Sequence, residues 1–166
     1  MDKQQKIDRA VEAAKAAQIR DDICARSVLV GLKEIYDDIP EEMITAALSL
    51  AGGTGGASAS CGAYCCGLLA VGLKYNAPLA EELQNPAVKQ RGAAKFSEYR
   101  DRFMKEMGTV MCPEIHKKLF GRSYTLYDPV EHEEFLTMPG HQVKCAEAVG
   151  MAARIAAEMI LADEVD

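Results

Sequence analysis

Six cysteines in 166 residues are the groups whose type and spacing could do chemistry. They are Cys24, Cys61, Cys65, Cys66, Cys112 and Cys145. Three crowd into Cys61-Gly62-Ala63-Tyr64-Cys65-Cys66-Gly67, directly after Gly52-Gly53-Thr54-Gly55-Gly56. Cys24, Cys112 and Cys145 are each expected near the start of a separate helix. Unpaired N–H groups at a helix start favour a thiolate, so this placement suits thiolate chemistry or metal binding. With Ser60 as N-cap, Cys61 takes the first helical position and is the expected low-pKa thiol. Cys65 lies four residues on, one turn away on the same face. That spacing allows a shared metal but strains a disulfide. Cys66 points roughly 100° aside. His141 precedes Cys145 by one turn, so a Cys–His pair on one face is available. His116 and His132 are dispersed, and His132 sits in an acidic run that reads as a solvated face.

The glycine loop can form an anion-binding nest or a plain helix–helix turn. It is not a P-loop, because no Lys-Ser or Lys-Thr follows. Its use here is to bring backbone close to the cysteines, which makes Gly55, Gly56 and Cys65 the candidate cofactor-binding residues. No order of Ser, His and Asp points to a hydrolase. Tyr64 reads as a core-facing aromatic, and Met104, Met107 and Met111 as core filler.

The elements that must position these groups are helical nearly throughout. Ile7, Ala10, Val11, Ala14 and Ala17 predict a helix over 3–19. Asp21 and Asp22 are placed to cap a second helix carrying Cys24. Pro40-Glu41-Glu42 opens a third that runs to the glycines. Ser58 or Ser60 caps a fourth, ending near Tyr75, whose all-round apolar character predicts the central buried helix. A charged helix follows over 87–107. Cys112-Pro113 opens a short helix that Gly121 stops, Asp128-Pro129 opens a short piece, and a last helix covers 141–162. No strand alternation and no linker stand out. The expectation is an all-α, single-domain bundle over 1–166, with about six to eight helices and cysteines converging on one place.

Composition sets limits on the role. Hydrophobic residues are 49%, charged residues 27% and the net charge is -6. An acidic chain without a basic stripe is not expected to bind nucleic acid. No apolar run reaches the ~20 residues a bilayer span needs. The first residues are charged rather than apolar, so the expected compartment is the cytoplasm, where structural disulfides are rare.

Cys24-Ala25, the two glycine pairs, Cys61-Gly62-Ala63, Leu69-Ala70-Val71-Gly72-Leu73-Lys74 and the separated Cys112 and Cys145 resemble the redox-active family named for its C-GCAxxG-C-C pattern. The resemblance covers about residues 20–160. It implies a small helical protein with a redox role. It marks Cys24, Cys61, Cys112 and Cys145 as the family cysteines, the candidate catalytic and metal-ligating set. A similar domain stands beside haem-binding segments in some cytochromes, with an iron–sulfur cluster associated. Cys65 and Cys66 are extras, and Cys66 stands where the pattern carries a glycine. Two redox mechanisms follow: an iron–sulfur cluster passing electrons, or Cys61 attacking a disulfide with Cys112, Cys24 or Cys145 resolving it. The expected counterpart is a redox partner protein or a small-molecule thiol, and self-association into a homo-oligomer is open. Two other classes remain: a zinc sensing or storage module using cysteines with His141, and a non-catalytic helical adaptor.

Overall fold

The computed structural model describes residues 1–163. Helix α1 (Lys3–Asp21) starts at a capping box, in which Asp2 and Gln5 satisfy each other's backbone N–H groups. It buries Ile7, Ala10, Ala14 and Ala17 and ends with Asp22 in the left-handed region. Asp22 therefore closes α1 rather than capping α2 (Cys24–Lys33), whose N-cap, Ile23, makes no side-chain bond. Helix α3 (Glu41–Ala46) runs on as a tighter 3-10 turn, Ala47–Leu50. After the glycine loop come α4 (Gly62–Tyr75), α5 (Leu79–Gln84), α6 (Ala93–Met107), α7 (Cys112–Phe120), α8 (Pro129–Thr137) and α9 (His141–Ile160).

The all-α expectation holds, but the described residues form nine helices rather than six to eight. The excess is in short pieces: α5, and the separate 3-10 turn Pro86–Gln90 that splits the charged segment before α6. The break falls at Arg91-Gly92, where Gly92 is the N-cap of α6 and a glycine costs about 1 kcal/mol inside a helix.

Helices α1, α2 and α9 pack mutually, α4 packs on α2 and α9, and α6 closes the far side against α4 and α9. The expected centre shifts. Helix α4 buries Ala63, Cys66, Ala70 and Val71 but leaves Leu69 and Leu73 exposed. The last helix is the more buried one, with Ala152, Ala153, Ile155, Ala156 and Ala157 all at 0% exposure. Its alanines let α1 and α2 approach closely, which longer side chains would prevent. The methionines are not uniformly core: Met107 is buried, whereas Met104 and Met111 are exposed. A second small cluster of Cys112, Tyr124, Leu126 and Phe135 stands apart from the main core. Between the two clusters lies the cysteine site.

No helix among the described residues is long and apolar enough to cross a membrane. The only extended pairing among them is an isolated bridge between Ser60 and Met111.

Candidate functional site: a thiol cluster on a cavity

That bridge brings two cysteines together. Cys61 N–H donates to Val110 O at 2.7 Å, and Cys112 N–H donates to Ala59 O at 2.8 Å. The starts of α4 and α7 are thereby held side by side. Cys24 opens α2, and the ideal Cβ position of Gly62 lies 3.0 Å from its Sγ, so a side chain at Gly62 would press on this sulfur. Ser60 does not cap α4. Cys61 itself is the N-cap residue, one position earlier than its spacing predicts.

The glycine loop is a left-handed turn. Gly52, Gly53, Thr54, Gly55 and Gly56 all have φ between 65° and 75°. Such a run costs about 1–2 kcal/mol for each residue carrying a Cβ, so glycine is required at nearly every position. Thr54 is the exception, and its hydroxyl is held by donation to Ser60 O at 3.1 Å. The turn aims the Gly52 N–H at the Cys24 thiol.

Cys24 is the acidified thiol. The Cys61 thiol donates to it, and Gly52, Ala63 and Ala25 add backbone N–H groups; together they outweigh burial and bring it from 9.0 down to about 7. Cys61 moves the opposite way. Its proton is held by Cys24, burial adds to this, and the Tyr64 N–H is the one backbone donor opposing them, so it lies well above 9.0. The start of α4 therefore does not acidify Cys61: Cys24 holds its proton, and most backbone donors around the pair converge on that neighbour. Negative charge on Cys24 then opposes ionisation of the remaining thiols. Burial raises Cys112 and Cys66, each to about 12, and Cys24 adds to both. Burial and Cys24 raise Cys145 well above 9.0. Burial also raises Cys65.

A cavity of about 380 Å³ opens beside Cys24. Cys24, Cys112 and Cys145 line it, with Gly56; Cys61, Cys65 and Gly55 do not. Cys66 packs in the main core. His141 does not turn to Cys145. Its Nε2 meets Asp22 Oδ2 at 2.6 Å, and its Nδ1 lies 3.3 Å from Met138 O. The Cys–His contact at one-turn spacing is Cys112–His116 instead, with Sγ 3.5 Å from Nε2. Burial, then the neighbouring His141, lowers His116 to about 4, so it is a neutral imidazole. His116 stands four residues after Cys112, the same one-turn spacing that relates His141 to Cys145.

These thiols imply a pH signature. The Cys24 pKa is lowered on folding, so its stabilisation is fully present above pH 9.0 and is lost as pH falls through about 7. Cys66 and Cys112 are raised, so theirs is present below 9.0 and lost as pH rises to about 12. Each thiol contributes at most about 1.4 kcal/mol per pH unit in its window. Denaturant midpoints are expected to rise from pH 7 to 9 and fall above it; Cys24→Ser removes the rise, and Cys66→Ala shallows the fall.

The soft donors suit zinc or iron–sulfur chemistry by type. By placement they do not form a single-ion site: no group of three or more Cys, His, Asp or Glu side chains among the described residues can hold a metal ion. Thiols spread around a cavity match a dithiol, or a group several ångströms across, better than one zinc ion. All six cysteines are free thiols.

A helical domain that gathers acidified and protonated thiols around one small cavity defines a cysteine-centred site. The model of the family described as "Putative redox-active protein (C_GCAxxG_C_C)" matches residues 23–159, and the chain belongs to that family. No curated protein and no solved structure matches it.

Proposed function

We propose that the protein is a dithiol oxidoreductase in which Cys24 attacks and Cys61 resolves. The observation that carries this is the meeting of two thiols beside the glycine turn, where the Cys61 thiol and three backbone N–H groups turn toward Cys24 and lower its pKa. The Cys24 thiolate attacks one sulfur of a substrate disulfide. The S–S bond breaks, a mixed disulfide forms, and the second substrate sulfur leaves as a thiolate. Cys24 has then lost its charge, which removes the main cause raising Cys61. Cys61 gives its proton to the departing thiolate and attacks Cys24 Sγ. The substrate sulfur that Cys24 first attacked leaves as a thiolate and takes a proton from water. The substrate disulfide gains two electrons and becomes two thiols; the protein ends with a Cys24–Cys61 disulfide. A redox partner protein or a small-molecule thiol restores the dithiol by the reverse steps.

The test is thiol counting with mass mapping across a redox-buffer series. The native protein is expected to lose two thiols together as a Cys24–Cys61 bridge, and Cys61→Ser to stop at the mixed disulfide. A bridge between other cysteines would overturn the assignment.

The cavity supports a second reading. Cys24, Cys112 and Cys145 line it and Cys61 stands behind Cys24, a thiolate set suited to an iron–sulfur cluster that would supply one-electron transfer. Anaerobic purification with iron and acid-labile sulfide assays separates the two. Iron with sulfide, lost in Cys112→Ser, would favour the cluster.

A further inference from the structure

Two residues that line the cavity each hold a buried polar atom with no partner among the described residues. Gln18 Oε1 and His116 Nδ1 make no hydrogen bond. Their residues are 1% and 3% exposed, and both line the cavity. Leaving such an atom unsatisfied costs about 1–3 kcal/mol, so each calls for an explanation.

The orientation of both groups is fixed. Gln18 Nε2 donates to Asp22 Oδ1 at 2.9 Å, and flipping the amide would set oxygen against oxygen. The free atom is therefore an acceptor. His116 Nε2 faces the Cys112 thiol at 3.5 Å. A protonated thiol donates there, which leaves the ring proton on Nδ1 as a donor. The ring is held by stacking on Phe135, with centroids 4.6 Å apart. Asp22 gives its other oxygen to His141 and cannot turn to either atom.

The two lining residues thus carry one unmet acceptor and one unmet donor, beside apolar Ile23, Leu126 and Phe135. Asp21 and Asp22 also line the cavity; Asp21 is paired with Arg20, and the Asp22 carboxylate disfavours an anion. A volume of about 380 Å³ suits a small molecule.

We propose that the cavity binds a small uncharged thiol or disulfide bearing a carboxamide, whose N–H donates to Gln18 Oε1 and whose C=O accepts from His116 Nδ1. The choice of a sulfur compound rests on the dithiol reading; the carboxamide does not.

The test uses a probe that cannot exchange and has a single carboxamide, 3-(methylsulfanyl)propanamide, titrated into the reduced protein. Calorimetry gives affinity, and nitrogen-15 shifts report the His116 ring. Saturable binding with a shift at His116 Nδ1 is expected. The free-carboxylate analogue is expected to bind at least tenfold more weakly, and His116→Phe and Gln18→Leu to lose tenfold or more. Thermal melts check that each variant folds, and the comparison of two probes on the native protein needs no variant. Absent saturable binding would mean that water alone satisfies these atoms and would overturn the proposal. Equal affinity for amide and carboxylate would do the same. Exchange at Cys24 is scored separately with an amide-free disulfide. Probe binding without exchange keeps the carboxamide site and removes the sulfur requirement; exchange without probe binding removes the site and leaves the dithiol.

Discussion

Cys24→Ser is expected to abolish the fast alkylation of this protein at pH 7. In the native chain one thiol should react with iodoacetamide in a fast phase whose rate rises through an inflection near pH 7. Two effects set the size. A thiol at about 7 is about half ionised at neutral pH, whereas one at about 12 is ionised to about one part in 10⁵. The less acidic thiolate is intrinsically the better nucleophile by about two orders of magnitude over that span, given a Brønsted slope near 0.4–0.5. Ionisation wins by about a few hundredfold over Cys112 or Cys66. Cys65, partly exposed and less strongly buried, sets the practical floor, so the observed drop is expected to be at least tenfold. Cys24 is partly exposed and lines the cavity, which admits a small uncharged reagent. If Cys61→Ser, not Cys24→Ser, removed the fast phase, the thiolate would sit where the helix-start argument first placed it.

The reversal between those two cysteines shows what a sequence carries and what it does not. Helical periodicity, Pro113 after Cys112, Gly121 and Asp128 are local signals, and the helices they predict are present. Local spacing also drew attention to Cys61, because a helix start acidifies any thiol placed there. What decides between Cys24 and Cys61 is non-local. The Gly52 and Ala63 N–H groups meet Cys24 only because the glycine turn and α4 fold against α2. His116 and His141 make the same point. Both stand one turn from a cysteine, and periodicity treats them alike. Tertiary packing sends His141 across 119 residues to Asp22 and leaves His116 on Cys112. Burial of α9 over α4 was likewise hidden, because an alanine-rich face reads as weakly hydrophobic although it allows the closest approach.

The glycine turn gives the sharpest structural test, because two of its members differ in one respect only. Gly53 and Gly56 have φ of 75° and 73°, so a Cβ at either meets the same backbone strain, about 1–2 kcal/mol. Around Gly56 there is nothing within 4 Å, and Gly56→Ala is expected to cost little more than that strain. At Gly53 the new Cβ would lie 2.7 Å from Ala59 N, 2.8 Å from Ser58 Cα and 2.9 Å from Cys112 Cβ. Two of those atoms are backbone and cannot swing aside. Relief requires the loop to move, adding about 1–3 kcal/mol for overpacking and placing the total at about 2–5 kcal/mol. The movement has a chemical consequence as well. Ala59 N–H donates to Gly53 O at 2.9 Å, and Ala59 O holds the Cys112 N–H at 2.8 Å. Displacing Ala59 loosens the bridge that sets α4 beside α7 and turns the Gly52 N–H away from Cys24. Urea unfolding should therefore rank Gly53→Ala well below Gly56→Ala. At pH 7, folded Gly53→Ala should also have lost much of the fast thiol that Gly56→Ala retains. Equal stability and equal reactivity in the two variants would mean that the turn merely links helices and plays no part in holding the Cys24 thiolate.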